Sequence, residues 1–337
     1  LKDTAPLIAT QGSASLDRRI LEIFRTRSGE VVSGEELSRL LKVSRTAVWK
    51  QIKTLKMLGY KIAAVPSQGY RLISSPDLLI PAEITASLNT IRIGSEIICF
   101  KETGSTNTLA FKLAEEGALE GTVVIADAQR RGKGRLGREW ESPPGVNLYC
   151  SIILRPPIPP VAAFQITFLS AIAVARSVTR CTRLEPSIKW PNDILVNGGK
   201  VAGLLNEMSA ETEKVNFIVL GIGVNLNMRR DQFPQNLRHP ASSLLLEGGV
   251  EIDRTGFIRD LLMNLDALYD GYLRDGYAPI RDEWLAMSRM AGRRVRVTDY
   301  NRSTEGMVRG IDDNGALILE CAGGGMERVL TGDVMIQ

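Results

Sequence analysis

Gly132-Lys133-Gly134-Arg135-Leu136-Gly137, with Arg138 and Trp140 just beyond, is the stretch around which the rest of this 337-residue chain is read. Glycine lets a backbone bend tightly and approach an anion closely, and consecutive N–H groups beside Lys and Arg side chains make a phosphate cradle. The spacing formally matches the dinucleotide-binding fingerprint. That motif needs a strand before it, a helix opening after it and an acid about 20 residues on. Thr122 to Ala126 supplies the strand, but Glu141-Ser142-Pro143-Pro144-Gly145 cannot continue a helix, and no acid stands between Glu141 and Glu185. A Walker loop fails too, because no Gly-Lys is followed by Ser or Thr at the required spacing. On its own the segment also fits a solvated basic loop or, with five basic residues between 130 and 138, a nucleic-acid patch.

Composition narrows the chemistry. The chain is long enough to bury a sizeable core in two or three domains, and its 44% hydrophobic and 24% charged residues are those of a globular protein. Cys99, Cys150, Cys181 and Cys321 form no CxxC pair and no metal-ligand spacing, which predicts reduced thiols in an intracellular protein. A single histidine, His239, argues against a His-based metal site and a Ser-His-Asp triad. No secretory signal is read in the first 15 residues, and Leu1 in place of Met reads as a trimmed start. Val161 to Ala175, the most apolar stretch, falls short of the roughly 20 residues of a membrane span and is expected to be a buried helix, so a cytoplasmic protein without a membrane partner is expected. The net charge of +4 conceals an asymmetry: residues 16–75 carry 12 Lys and Arg against 5 acids, whereas residues 76–337 carry 29 against 32. Only the N-terminal segment has the electrostatics of a nucleic-acid binder.

The first segment has the pattern to match. Leu16, Ile20 and Phe24 recur at helical spacing, as do Leu37, Leu40 and Leu41, and a third helix opens at Ser44 after the two-residue connection Lys42-Val43. Along it Val48, Ile52 and Leu55 share one face while Arg45, Thr46, Lys50 and Lys53 fall mostly on another; Gly59 ends it. Two alternating runs around Pro66-Ser67-Gln68-Gly69 read as a wing. Residues 16–75 are therefore expected to form a winged helix-turn-helix, with Arg45, Thr46, Lys50 and Lys53 facing DNA and Ser74 to Asp77 as linker. Residues 76–285 alternate helical signals (107–116, 161–180, 255–273) with consecutive strands, especially from 187 to 222, which predicts α+β architecture with antiparallel pairing. Short strands recur over residues 286–337, around an Asp312-Asp313-Asn314-Gly315 turn, as in a small barrel.

Four further motifs accompany the glycine loop: Thr103-Gly104-Ser105-Thr106-Asn107, Lys189-Trp190-Pro191-Asn192-Asp193, Lys200-Val201-Ala202-Gly203 and Gly221-Ile222-Gly223-Val224-Asn225. In this order, and with the N-terminal segment, they make the chain resemble the biotin protein ligases of the bifunctional ligase and biotin operon repressor type over nearly its whole length. The resemblance implies a multidomain α+β protein: a winged helix-turn-helix, a central mixed α/β ligase domain of class II synthetase type and a C-terminal SH3-like barrel. It implies ATP, Mg²⁺ and biotin, formation of biotinyl-5'-AMP, transfer to a lysine of a biotin carrier domain, operator DNA as a second partner and homodimerisation, which suits a helix-turn-helix on a palindromic site.

Residue by residue, the resemblance puts Ser105, Thr106, Asn107, Gln129, Gly132, Gly134 and Gly203 at biotin, and Arg138, Trp140, Asn192 and Asn225 at the nucleotide. Arg135 and Lys200 stand at both, near the biotin carboxylate and the α-phosphate. Asp193 is the candidate to orient or deprotonate the acceptor lysine, whose amine is neutral in only about one part in a thousand near pH 7.4. Taken alone, these residues have plainer readings. Ser105 would cap a helix, Lys200 would be an exposed turn lysine, Trp140 a core residue, and Asn192-Asp193 a turn. Arg130 and Arg131 replace smaller residues usual in the family. Two other functions are kept in view: a lipoate or octanoate ligase of the same superfamily, and a biotin-sensing repressor that has lost catalysis.

Overall fold

A computed structural model describes residues 8–9, 16–27, 29–235, 240–299 and 302–337; Leu1 and His239, read above, lie outside them. After the short strand β1 (Ile8–Ala9), three helices follow: α1 (Leu16–Thr26), α2 (Gly34–Leu41) and α3 (Arg45–Met57). Serine caps start the second and third. Ser33 Oγ accepts from Glu36 N–H at 3.0 Å and Ser44 Oγ from Ala47 N–H at 3.1 Å, satisfying donors that a helix leaves unpaired. Helix α3 closes at Leu58, with Gly59 following at φ 96°. Ile20, Leu21, Phe24, Leu37, Leu41, Val48, Ile52 and Leu55 bury one common core, and the wing is the hairpin β2 (Lys61–Val65) and β3 (Gly69–Ser74). This is the expected winged helix-turn-helix.

The short helix α4 (Pro81–Thr85) docks that domain on the next, because Glu83 accepts from both Arg25 and Tyr60, while Ile80 and Ala82 complete the N-terminal core. The linker is held as well. Arg254, its side chain 3% exposed, donates to Asp77 at 2.7 Å and to Asp127 at 2.7 Å.

The central domain is an eight-stranded sheet in the order β1-β4-β5-β6-β10-β9-β8-β7. Its elements run β4 (Glu96–Thr103), α5 (Thr106–Glu115), β5 (Thr122–Gln129), β6 (Leu148–Leu154), α6 (Ala163–Thr182), β7 (Ser187–Lys189), β8 (Asp193–Val196), β9 (Gly199–Ala210), β10 (Val215–Val224), α7 (Leu244–Gly248), α8 (Arg254–Asp275) and α9 (Ala278–Ser288). Pairing is antiparallel as expected, with one exception: β4 and β5 are parallel and joined through α5 as a single βαβ unit. Because both strands run the same way, their C-terminal ends open side by side at the start of α5.

Helix α6 has 20 residues, two positions later than the 161–180 read from the sequence, and is long enough to span a bilayer by length and composition, but it lies inside the protein against α8, α9 and the sheet, with Ile166, Phe168, Leu169, Ile172 and Val178 wholly buried. Helix α9, absent from the sequence reading, buries only Ile280, Trp284 and Ser288, a stripe too narrow to stand out. C-terminally, β11 (Arg294–Asp299), β12 (Arg302–Ile311), β13 (Leu317–Glu320), β14 (Met326–Val329) and β15 (Asp333–Ile336) form one antiparallel sheet in the order β14-β13-β12-β11-β15. Trp190 Nε1 donates to Gly315 O at 3.0 Å, fastening that sheet to the β7–β8 turn.

Candidate active site

The parallel ends of β4 and β5 build one wall of a cavity. Arg130 N–H donates to Thr103 O at 2.9 Å and Arg131 N–H to Gly104 O at 2.8 Å, which brings Ser105-Thr106-Asn107 next to Gln129. Gln129 Oε1 accepts from Thr106 N–H (2.9 Å) and its Nε2 donates to Ser142 Oγ (2.9 Å), so the amide orientation is set from both sides. Both N–H bonds of Asn107 are spent, on Leu205 O (3.2 Å) and Glu207 Oε2 (2.9 Å), and Ser151 Oγ lies 2.6 Å from Asn107 Oδ1. Its side-chain groups are thus all engaged within the protein, and what Asn107 still has to offer an incoming group is the second lone pair of the Oδ1 that accepts from Ser151, not a donor. Ser105 holds the N-cap position of α5 but makes no side-chain cap bond; its hydroxyl lines the cavity. The capping reading does not hold for it.

The opposite wall is cationic. Lys200, on β9, sits 2.6 Å from Asp193 Oδ1 on β8, with side chains 26% and 16% exposed. It belongs to a strand that lines the cavity, not to a solvated turn. Its Nζ also lies 5.3 Å from the Trp140 ring centroid, within cation–π range. The indole rests on Gly203 and Gly223, which face each other across β9 and β10; a Cβ at Gly223 would come within 2.6 Å of the ring and one at Gly203 within 2.9 Å. Trp140 is thus a wall of the cavity, half-buried, and the paired glycines make room for it.

The glycine loop closes the site. Its left-handed residues are Leu136 (φ 56°) and Gly137 (φ 71°), whereas Gly132 is needed because a side chain there would collide with the Trp140 carbonyl. Arg135 donates to Asn192 Oδ1 at 3.1 Å and to Thr331 Oγ1 at 3.1 Å, Arg138 pairs with Asp333, and Lys133 pairs with Glu207 at 3.0 Å. Burial pulls the Arg135 guanidinium below its usual pKa against the upward pull of Asp333 and Asp193, and burial does the same to Lys189. Both cations are held partly dry. Cys150 also lines the cavity, its thiol pushed up to about 12 by burial, so it offers no thiolate.

Of the ligand-site residues expected from sequence, Ser105, Thr106, Asn107, Gln129, Gly134, Arg135, Arg138, Trp140, Asn192, Asp193, Lys200 and Gly203 all line this one cavity. Two do not. Gly132 lies behind the loop, and Asn225 is turned into the core, its Nδ2 on Ser242 O at 3.0 Å. Lys133, Lys189, Asp333 and Val334 are additions to the lining, and Glu207 and Thr331 hold its cations. Elsewhere, Arg45, Thr46, Lys50 and Lys53 are all exposed on α3, and none of them lines the cavity. All four cysteines are unbridged.

Comparison with known proteins agrees with this arrangement. Residues 99–225 match the biotin/lipoate A/B protein ligase family, residues 17–71 an HTH domain, and residues 291–336 the biotin protein ligase C terminal domain. The chain is 39% identical over 321 residues to the bifunctional ligase/repressor BirA of Bacillus spizizenii, covering 95% of this chain and 98% of that protein. Against the Escherichia coli protein of the same name it is 33% identical over 294 residues, 87% of this chain and 89% of the other. Among solved structures, the biotin protein ligase of Aquifex aeolicus in complex with biotin and ATP superposes with a TM-score of 0.62 at 26% identity, covering 72% of this chain and 98% of that one.

Proposed function

This chain belongs to the bifunctional ligase/repressor family, and we propose that it performs both kinds of work the family name describes. It is an ATP-dependent biotin protein ligase that forms biotinyl-5'-AMP and passes biotin to a lysine of a biotin carrier protein, and its N-terminal domain is a DNA-binding repressor. The observation that carries the ligase reading is the convergence of five cations, Lys133, Arg135, Arg138, Lys189 and Lys200, with Ser105, Thr106, Asn107 and Trp140 around one cavity.

The first half-reaction brings two anions together: a carboxylate oxygen attacks the α-phosphorus and pyrophosphate leaves. At 4 Å, with an effective dielectric near 20, two like charges repel by about 4 kcal/mol. Arg135 and Lys200 supply the opposing charge from fixed positions, where it costs no reorganisation. Lys200 begins paired to Asp193. When the ligand's anion draws Lys200 away, Asp193 becomes available to accept a proton from the incoming lysine amine as the carbonyl carbon is attacked and AMP departs. Asn107, as an acceptor, suits a ureido N–H, and Trp140 on its glycine floor suits an aromatic or ring system beside it. Mg²⁺ takes most of its ligands from phosphate oxygens and water, so a site without a dedicated cage fits it. Among the described residues no three carboxylate, histidine or thiol side chains are grouped to hold it, and when bound with the nucleotide it would neutralise phosphate charge. The protein works in the cytoplasm and pairs with a second copy when it binds operator DNA, as the family resemblance implies.

The test is mass spectrometry of the purified protein together with an ATP/pyrophosphate exchange assay. Co-purified or biotin-dependent biotinyl-adenylate is expected, with lipoate failing to compete; exchange driven by lipoate or octanoate in place of biotin would reverse the substrate assignment.

A further inference from the structure

Trp49 is left unexplained by the fold of the N-terminal domain. It lies on α3, whose core face of Val48, Ile52 and Leu55 is at most 2% exposed, yet Trp49 itself is 53% exposed. Arg45, Trp49 and Lys53 follow at i, i+4 and i+8 and so form one ridge, beside Thr46 and Lys50, and all five are exposed. Lys53 Nζ stands 5.8 Å from the indole centroid. Helix α3 carries no acid along its length. A lone exposed apolar residue needs no account. A tryptophan set among cations is different, since covering its ring is favourable only against an apolar group, while the charges around it select a polyanion as the surface that brings that group.

The second helix of a helix-turn-helix lies in the major groove with its N-terminal residues at the base edges, and Trp49 is the fifth of the 13 residues of α3. The apolar group that base edges present there is the C5 methyl of thymine. Resting on the repressor reading above, we propose that Trp49 is a base-reading residue: its indole packs on a thymine methyl in each operator half-site, while Arg45 and Lys53 hold phosphates on either side. Phosphate contacts position a protein and base contacts specify sequence. Trp49 therefore contributes to selectivity and little to non-specific affinity.

The experiment uses the full chain with biotin, ATP and Mg²⁺. A preferred duplex is recovered from a random library with the wild-type protein, and each thymine is then replaced singly by deoxyuridine, which removes only the methyl. The wild type is expected to lose about fourfold at one or two symmetry-related thymines, the worth of one buried methyl. Trp49→Ala should be insensitive at those same positions, bind the parent duplex about tenfold more weakly, and bind unselected DNA as the wild type does. Alanine is the best helix former, so α3 survives the change, and far-UV circular dichroism checks it. Trp49→Ala with wild-type affinity and unchanged deoxyuridine sensitivity would overturn the proposal and point the ridge at an acidic protein surface. A wild type indifferent to every deoxyuridine would overturn it too, leaving the repressor reading standing. Failure to recover any preferred duplex would remove both.

Discussion

The recognition helix and the ligand cavity hold their cations in opposite ways. On α3, Arg45, Lys50 and Lys53 stand in solvent on a helix without a single acid. In the cavity four of the five lining cations are engaged: Lys200 with Asp193, Arg138 with Asp333, Lys133 with Glu207, and Arg135 with Asn192 and Thr331. The difference follows from the two anions. A duplex lays its phosphates out along a surface, and a solvated lysine gives up little water to meet one. A nucleotide phosphate must be neutralised at one point in a partly dry space, where an unpaired charge is costly before the ligand arrives. The cavity therefore keeps intramolecular counter-partners that the ligand displaces, and substitutions of its cations should act on chemistry and packing together, whereas those of the lysines on α3 should act through salt-dependent affinity.

The largest effect is expected at Lys200. Contacts that strengthen only as charge builds at the reacting phosphate are worth about 3 kcal/mol or more. Lys200→Ala should lower single-turnover adenylate formation by about a hundredfold or more while biotin binding is largely kept. Because Asp193 is then left half-buried without its cation, a small loss of melting temperature should accompany it. A wild-type adenylation rate would sink the assignment.

Arg135 comes next. It ties the glycine loop to the β7–β8 turn through Asn192 and to the C-terminal domain through Thr331. Arg135→Gly removes both charge-assisted bonds and loosens the loop, so the mixed anhydride should meet water and stray amines sooner. The half-life of bound biotinyl-adenylate should fall about tenfold, the worth of one such bond, and lysines of bystander proteins should become labelled. An unchanged half-life would show that the loop does not depend on Arg135 for closure.

The same contrast explains what was legible in the sequence. Locally determined features were readable: the start of α3 at Ser44, the periodic core of residues 16–75, and the clustering of motifs that do line one cavity. Contributions that arrive by topology were not. Asp333 and Thr331 come from or just before a four-residue strand nearly 200 positions from the arginines they meet, and nothing in their own surroundings marks them. Glu207 looks like an outward residue on a long strand until Asn107 and Lys133 are seen on either side of it. The parallel β4–β5 pair was hidden because the run of consecutive strands from 187 to 222 dominates the pattern. Asn225 was read at the nucleotide, but its amide is used to hold Ser242 O and sits behind the wall.

The smallest effect, and the one that most directly separates the two regions, is expected at Lys50. It stands exposed on α3 and is not part of the cavity lining, so removing it should leave adenylation untouched. If its role is one phosphate contact per subunit, Lys50→Ala should weaken operator DNA and unrelated DNA by the same severalfold factor, and the slope of log affinity against log salt should become shallower by about 0.9 for each phosphate lost, hence about twice that for a dimer. Titrations at three or more salt concentrations decide it, and the sharpest form compares Lys50→Ala with Lys200→Ala in the same assay. Lys200 lies in the other domain, so its variant should leave the slope of the apo protein unchanged and alter operator affinity only through loss of the adenylate, an effect that supplied biotinyl-adenylate reverses. A shallower slope for Lys200→Ala would mean that the cavity's cations reach DNA and that the two ways of holding charge are not separate devices.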